Sequence, residues 1–77
     1  MRITDLETGG EYVVHTSFRD DRGTLVLPGD SLTFERLSAV PVTGAFELHF
    51  REEMLVLQED RQKDVVEHVE RFLRVVE

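Results

Sequence analysis

The chain has 77 residues, no cysteine and a formal net charge of −7. A chain of this length forms one domain with a small hydrophobic core, and the lack of cysteine excludes disulfides, thiolate nucleophiles and cysteine metal ligands. No apolar run approaches the ~20 residues of a membrane-spanning helix, and the first ten residues lack the apolar stretch of a secretion signal. We therefore expect a single cytoplasmic domain over residues 1–77.

The charge balance argues against nucleic acids and anionic membranes as partners. Nine Lys and Arg stand against 16 Asp and Glu, and the basic residues are dispersed along the chain. Binding to phosphates or to anionic lipids requires clustered basic side chains. An acidic surface instead attracts a basic protein by electrostatic steering. We expect a protein partner, with a basic one favoured; the simpler alternative is that the charge serves solubility.

Residues 11–58 have the pattern of an antiparallel β meander. Apolar and polar residues alternate along several short stretches, which places the apolar set of each stretch on one face of a strand. Turns separate them at Asp20-Asp21-Arg22-Gly23 and at Pro28-Gly29-Asp30, which are typical turn sequences. The predicted strands lie near residues 11–18, 24–27, 31–37, 46–50 and 54–57, the last apolar at every position.

The C-terminal residues, 60–76, have the spacing of one amphipathic helix. Apolar residues at 65, 66, 69, 72, 73 and 76 form a single stripe at 3.6 residues per turn. Acidic residues near the start and arginines near the end suit the helix dipole. Because an isolated helix of this length is marginal in water, we expect it to pack against the sheet.

These elements predict a mainly β fold with one C-terminal α-helix. Strand twist accumulates across five short strands and curls the sheet. The expected architecture is a small five-stranded antiparallel SH3-like half-open barrel, with the helix covering one opening or face. The alternative is an open twisted antiparallel sheet with the helix packed across it, an α+β arrangement.

Turn glycines and core aromatic residues form a wider pattern over roughly residues 6–73. It consists of Gly10-x-Tyr12-x-Val14, Phe18-x-Asp20-x-x-Gly23, Pro28-Gly29-Asp30 leading to Phe34, Pro41, Gly44-x-x-x-Leu48 and Gln62. This pattern resembles an uncharacterised bacterial family, the domain of unknown function numbered 3601. The chain departs from that family in having no Trp and no aromatic residue at 38–43. The resemblance implies a fold and carries no activity, cofactor or ligand.

No arrangement of residues points to catalysis or to a metal. Asp20 and Asp21 lack the further oxygen ligands of a calcium loop, and a solvated turn is the simpler interpretation. His15, His49 and His68 are not spaced as a ligand set, and the first two could meet only if their strands pair. No serine elbow and no glycine-rich phosphate loop is present. We expect no enzymatic activity and no cofactor or metal.

Five residues are candidates for partner binding. SH3-like modules often bind through aromatic residues between their first two strands, which here indicates Phe18, with Tyr12 as a neighbour. The alternative is that all six aromatic residues belong to the core. An acidic rim and a second loop at 38–44 would complete the surface, so the candidate set is Glu11, Phe18, Asp20, Asp21 and Pro41.

The favoured function is a non-catalytic protein-interaction module. One version is an immunity-type inhibitor, a small acidic protein that occludes a basic toxin. A second hypothesis is a small-ligand or metal-sensing domain that uses His15, His49 or the Asp20-Asp21 pair. A third is a self-associating structural unit, for example a homodimer that buries Val13 or Val26.

Overall fold

A computed structural model describes residues 1–76 and contains one five-stranded antiparallel sheet. Its strands are β1 (Glu11–Val14), β4 (Ser31–Val40), β5 (Ala45–Phe50), β6 (Met54–Gln58) and β7 (Leu73–Val75). Their order in space is β6-β5-β4-β1-β7. A separate two-stranded antiparallel sheet consists of β2 (Phe18–Arg19) and β3 (Leu25–Val26). One α-helix, α1 (Lys63–Glu67), precedes β7.

The predicted fold class, mainly β with a five-stranded antiparallel sheet and a helix near the C-terminus, is confirmed. β6 and β7 are the two edges of the sheet and do not pair with each other within residues 1–76. The turn of the β2–β3 hairpin instead bonds to the outer side of β6, where the Asp21 N–H donates to the Val56 carbonyl at 2.7 Å. Within residues 1–76 the sheet is therefore open between β6 and β7, with the hairpin attached to the β6 edge.

Strand β4 is the longest element and pairs with both β1 and β5. Its register shifts between Phe34 and Arg36, which is a β-bulge at Glu35. Phe34 lies opposite Phe50 on β5, and their rings form an edge-to-face pair with centroids 5.6 Å apart. Bulges bend a strand and increase its twist, so this irregularity helps a ten-residue strand follow the curved sheet.

The predicted second strand, residues 24–27, is not part of the large sheet. Its centre forms β3, which pairs with β2 in the small sheet. The two strands are short because the turn at 20–23 and the Pro28-Gly29 turn follow each other closely, and Gly23 and Gly29 both have positive φ. The fifth strand of the large sheet comes from the C-terminus instead.

The prediction of one helix over residues 60–76 is wrong in extent. α1 has only five residues and ends at Glu67, because the next residue, His68, has a φ of −135° that is not helical. A 3₁₀ turn (Val69–Arg71) and then β7 follow. A helix through residue 76 would leave β1 as an unpaired edge, whereas β7 pairs with it and buries Leu73 opposite Val14. β-Branched Val75 and Val76 also favour the extended backbone.

A continuous apolar core lies between the concave side of the sheet and the segments that cover it. α1 contributes Val65 and Val66, and the following 3₁₀ turn contributes Val69. The first 3₁₀ turn (Ile3–Asp5) adds a fully buried Ile3, which the sequence pattern did not single out. Tyr12, Phe34 and Phe50 are buried, while the other three aromatic residues, Phe18, Phe46 and Phe72, are partly buried against this core. No helix within residues 1–76 has the length and apolarity required to span a bilayer.

The C-terminal strand predicts different effects on stability for mutations of two apolar residues that the sequence pattern assigned to the helix over residues 60–76. Leu73 is 5% exposed and Val76 is 44% exposed, although a helix over 60–76 would bury both. We expect Leu73→Ala to lower the free energy of unfolding by about 2–5 kcal/mol, and Val76→Ala to change it by less than about 0.5 kcal/mol. Urea denaturation followed by circular dichroism measures both, and equal losses would contradict the strand.

Candidate functional site

The Asp20 carboxylate is a buried acceptor for three backbone N–H groups. One oxygen, Oδ1, accepts from Arg22 N at 3.0 Å and from Thr24 N at 2.7 Å. The other, Oδ2, accepts from Val56 N on β6 at 3.0 Å and lies 3.6 Å from the Arg22 Nε. The side chain has no exposed surface. Asp20 therefore fixes its own turn with one oxygen and joins that turn to β6 with the other.

Two expectations about Asp20 are wrong for the same reason. The residue is neither in a solvated turn nor on an acidic rim, because its carboxylate is buried and its oxygens are used by the protein itself. Burial raises the pKa of Asp20, but the hydrogen bonds from Val56, Thr24 and Arg22 and the charge of Arg22 together lower it below its ordinary value of 3.8. The ionised form is thus the one that the fold requires.

Asp21 is partly buried and belongs to the same junction. Its carboxylate accepts from the Arg61 guanidinium at 3.0 Å, and Arg61 is itself 69% exposed. The neighbouring Arg22 donates to the Met54 carbonyl on β6 at 2.8 Å. The charge of Asp21 is therefore largely balanced within the chain, which weakens it as an anchor for a basic partner.

The aromatic candidates do not form a binding platform. Phe18 is half-buried and makes an edge-to-face contact with Phe72, with ring centroids 5.5 Å apart. Tyr12 is buried and its hydroxyl accepts from the Glu7 N–H at 2.9 Å. Glu11 is exposed at the start of β1, opposite Thr33. Tyr12 therefore does not accompany Phe18 on the surface, and Val26, offered as a self-association residue, is also buried.

Pro41 lies on a different exposed feature, the turn that connects β4 and β5. The N–H groups of Thr43 and Gly44 both donate to the Val40 carbonyl, at 3.2 and 3.0 Å, and Gly44 has a φ of 71°. The turn is thus held by its own backbone. It presents Val40, Pro41 and Val42 to solvent, and Val42 is 95% exposed.

An open groove of about 640 Å³ adjoins this turn. The backbone bond from Glu59 N to the Gly44 carbonyl, at 3.1 Å, joins its two sides. Three of the lining residues are acidic and one is basic; the lining comprises Thr43, Gly44, Glu59, Asp60, Lys63 and Glu67. We call this groove and the turn at 40–44 the tip surface.

The carboxylates of the groove differ in their partners. Glu59 forms an ion pair with Arg2 at 3.5 Å. Within residues 1–76, neither Asp60 nor Glu67 has a basic side chain within 4.0 Å. Like charges on one groove repel each other in the free protein, and a cation between them removes that repulsion. Lys63 offsets one of the three acidic charges of the lining, and the remaining excess of acidic side chains favours a further positively charged group.

The histidines do not combine into a metal site. His15 follows β1 and His49 is on β5, and β4 lies between those two strands. The His49 Nε2 is buried without a hydrogen-bond partner and lies 3.6 Å from Glu47 Oε1. In the part of the chain that the structure describes, no group of three or more His, Asp or Glu side chains could hold a metal ion.

Comparison with known proteins identifies a structural neighbour. No protein-family model and no curated protein matches the chain. Among solved structures, the chain is similar to an integron cassette protein from the mobile metagenome of Vibrio cholerae, with a TM-score of 0.89 and 25% sequence identity. The match covers 92% of this chain and 88% of that protein. The likeness supports the fold over nearly its whole length, and the neighbour's description states no reaction or ligand.

The buried carboxylate predicts a specific pH dependence. Because the pKa of Asp20 is lower in the folded chain than its ordinary value of 3.8, ionised Asp20 stabilises the fold above about pH 3.8, and this contribution is lost as the pH falls through the folded pKa. At neutral pH we expect Asp20→Asn to lower the free energy of unfolding by about 1.5–3 kcal/mol.

This difference between the wild-type chain and Asp20→Asn should narrow as the pH falls below about 3.8. Urea denaturation of dilute protein at a series of pH values measures it. A difference that stays constant down to the acid limit of folding would contradict the assignment.

Proposed function

We propose that this chain is a non-catalytic interaction module that binds a basic and partly apolar segment of another protein at the tip surface. The observation that carries the proposal is the juxtaposition of an exposed apolar turn with an acidic groove. Val42 is 95% exposed next to Thr43 and Gly44, which line the groove that contains Asp60 and Glu67.

The apolar side of the tip surface offers a compact contact. Burying one valine side chain from water contributes about 1.5–3 kcal/mol before the costs of association. Because two hydrogen bonds to the Val40 carbonyl hold the turn, little backbone freedom is lost when a partner covers it. The exposed side chains of Val40, Pro41 and Val42 therefore suit an apolar residue of the partner.

The acidic side supplies orientation and specificity. A Lys or Arg of the partner that enters the groove can form charge-assisted hydrogen bonds with Asp60 or Glu67, which are the stronger class of such bonds. The net charge of −7 adds a long-range attraction for basic surfaces. Glu11 contributes to that field from outside the groove, whereas the charge of Asp21 is offset by Arg61. Pro41 is the candidate residue that belongs to the tip surface.

A cytoplasmic location and membership of the family numbered 3601, which the chain resembles, are further parts of this proposal. In its immunity-type version, the partner is a basic toxin whose surface the tip surface covers. Similarity to an integron cassette protein from a mobile metagenome is compatible with either version, since the neighbour's description specifies no partner.

A basic amphipathic peptide tests the surface directly. We would titrate a synthetic peptide of alternating Lys and Leu into the isotopically labelled chain and follow its backbone amide signals by NMR. The largest shifts are expected at Val42, Gly44 and Glu67. The double variant Asp60→Lys with Glu67→Lys should bind at least about tenfold more weakly, because it replaces attraction in the groove by repulsion.

A matched control separates the groove from the overall charge. Glu35→Lys with Glu53→Lys changes the net charge by the same amount at exposed residues outside the groove. We expect this control to bind within about threefold of the wild-type chain, since rim and distant charges act weakly. Equal weakening in both double variants, or the absence of shifts at the tip surface, would reject the proposal.

A further inference from the structure

On the outer edge of β6, the carbonyls of residues 54, 56 and 58 and the N–H groups of residues 56 and 58 are hydrogen-bonded without a neighbouring strand. Residues of an antiparallel strand alternate in the direction of their backbone groups, so Met54, Val56 and Gln58 face away from β5. Val56 N donates to Asp20 Oδ2 at 3.0 Å, and the Val56 carbonyl accepts from Asp21 N at 2.7 Å. These two bonds take the place of a strand partner at the centre of the edge.

Backbone groups near the two ends of this edge are bonded as well. The Met54 carbonyl accepts from the Arg22 guanidinium at 2.8 Å. At the other end, Gln58 N donates to Gln62 Oε1 at 2.7 Å, and the Gln58 carbonyl accepts from Gln62 N at 2.8 Å. The turn at 20–23 therefore covers residues 54 and 56, while Gln62 covers residue 58.

The covering of this edge by the turn at 20–23 and by Gln62 matters because β6 is well suited to pairing with another strand. β6 contains no charged residue, and four of its five positions are apolar. Uncharged apolar edge strands are templates for pairing with another chain, and proteins generally block them. In a chain of net charge −7, this is a segment on which two copies can meet without repulsion inside the strand.

We propose that the turn at 20–23 is a releasable cap and that, once Asp20 no longer holds Val56, β6 pairs in antiparallel fashion with β6 of a second copy. Because the backbone N–H and C=O groups of residues 54, 56 and 58 face away from β5, two copies of β6 can pair about a two-fold axis at Val56. Met54 then lies opposite Gln58 of the second copy. The edge of β6 thus contacts either the hairpin of its own chain or a second chain, and the two contacts exclude each other.

The same register gives the dimer a salt dependence. Glu53 and Glu59 flank β6 at equal distances from Val56. Glu53 of one copy therefore lies opposite Glu59 of the other copy. Like charges directly opposite on paired strands are destabilising. Added salt screens this repulsion, and it should therefore strengthen dimerisation through β6.

Asp20→Asn removes the bond from the turn to β6 while it keeps the bonds within the turn. The asparagine oxygen can still accept from Arg22 N and Thr24 N, as Oδ1 does in the wild-type chain. Its amide then faces the Val56 N–H, so that two donors meet and the bond to β6 is lost. Asp30→Asn is the matched control, because Asp30 accepts from Leu27 N at 3.0 Å in a turn whose backbone bonds to Val14 on β1.

Amide hydrogen exchange and light scattering test the two steps. In dilute Asp20→Asn, the Val56 amide should exchange about tenfold to hundredfold faster than in the wild-type chain, while Asp30→Asn leaves it unchanged. As concentration rises, light scattering should show a dimer for Asp20→Asn, stronger at high salt, and a monomer for Asp30→Asn.

A blocking substitution shows which edge pairs. Val56→Pro removes the outward N–H and is compatible with an edge strand whose N–H does not bond its neighbour, so Asp20→Asn with Val56→Pro should be monomeric. If Asp20→Asn does not fold, Arg22→Met, which removes the bond to Met54, replaces it and should show the same two changes to a smaller degree.

Three outcomes would overturn the proposal. These are unchanged Val56 exchange in the cap variant, a monomer at every concentration despite faster exchange, and a dimer that persists in the variant with proline at residue 56.

Discussion

The attachment of the β2–β3 hairpin to the large sheet depends on one buried ion, the carboxylate of Asp20, which bonds to the edge of β6 where a neighbouring strand would otherwise lie. The five-stranded sheet leaves two edges, at β6 and at β7. By accepting from Val56 and from its own turn, Asp20 closes one edge and anchors the β2–β3 hairpin. Burial of this charge is tolerated because both oxygens are hydrogen-bonded. Asp20 thus joins its own turn to a strand that is distant in sequence, since Asp20 and Val56 are 36 positions apart.

The same sheet also creates the tip surface. β5 and β6 pair in a register that sets Ala45 opposite Gln58, and this brings the β4–β5 turn beside the acidic residues that precede α1. The apolar and acidic parts of the surface come from segments that are distant in sequence. Their proximity is a consequence of strand register, which brings the turn at 40–44 and the acidic residues together at one end of the sheet.

The parts of the fold that could be predicted are those with a local signal. Alternation placed β5 and most of β4 correctly, and the glycines marked the turns. The C-terminal prediction failed because the apolar spacing at 69, 72, 73 and 76 satisfies a helix, whereas pairing with β1 decides the structure. Asp20 was misjudged because an aspartate in a turn is usually solvated, and its contact with Val56 is not local. The groove was missed for a similar reason, although Pro41 had been singled out on the neighbouring turn.

The pairing of β1 with β7 has a consequence for how the chain acquires its structure. Tyr12 lies opposite Val75, about 60 positions later, and the Val69 N–H donates to the Met1 carbonyl. Sheets rich in such distant contacts fold slowly, because the loop must close before the contacts stabilise it. During synthesis, β1 remains without one of its two neighbours until residues 73–75 are available to pair with it. The edge formed by β1 and β7 is therefore completed late, whereas the β2–β3 hairpin, whose own pairing is local, can form earlier.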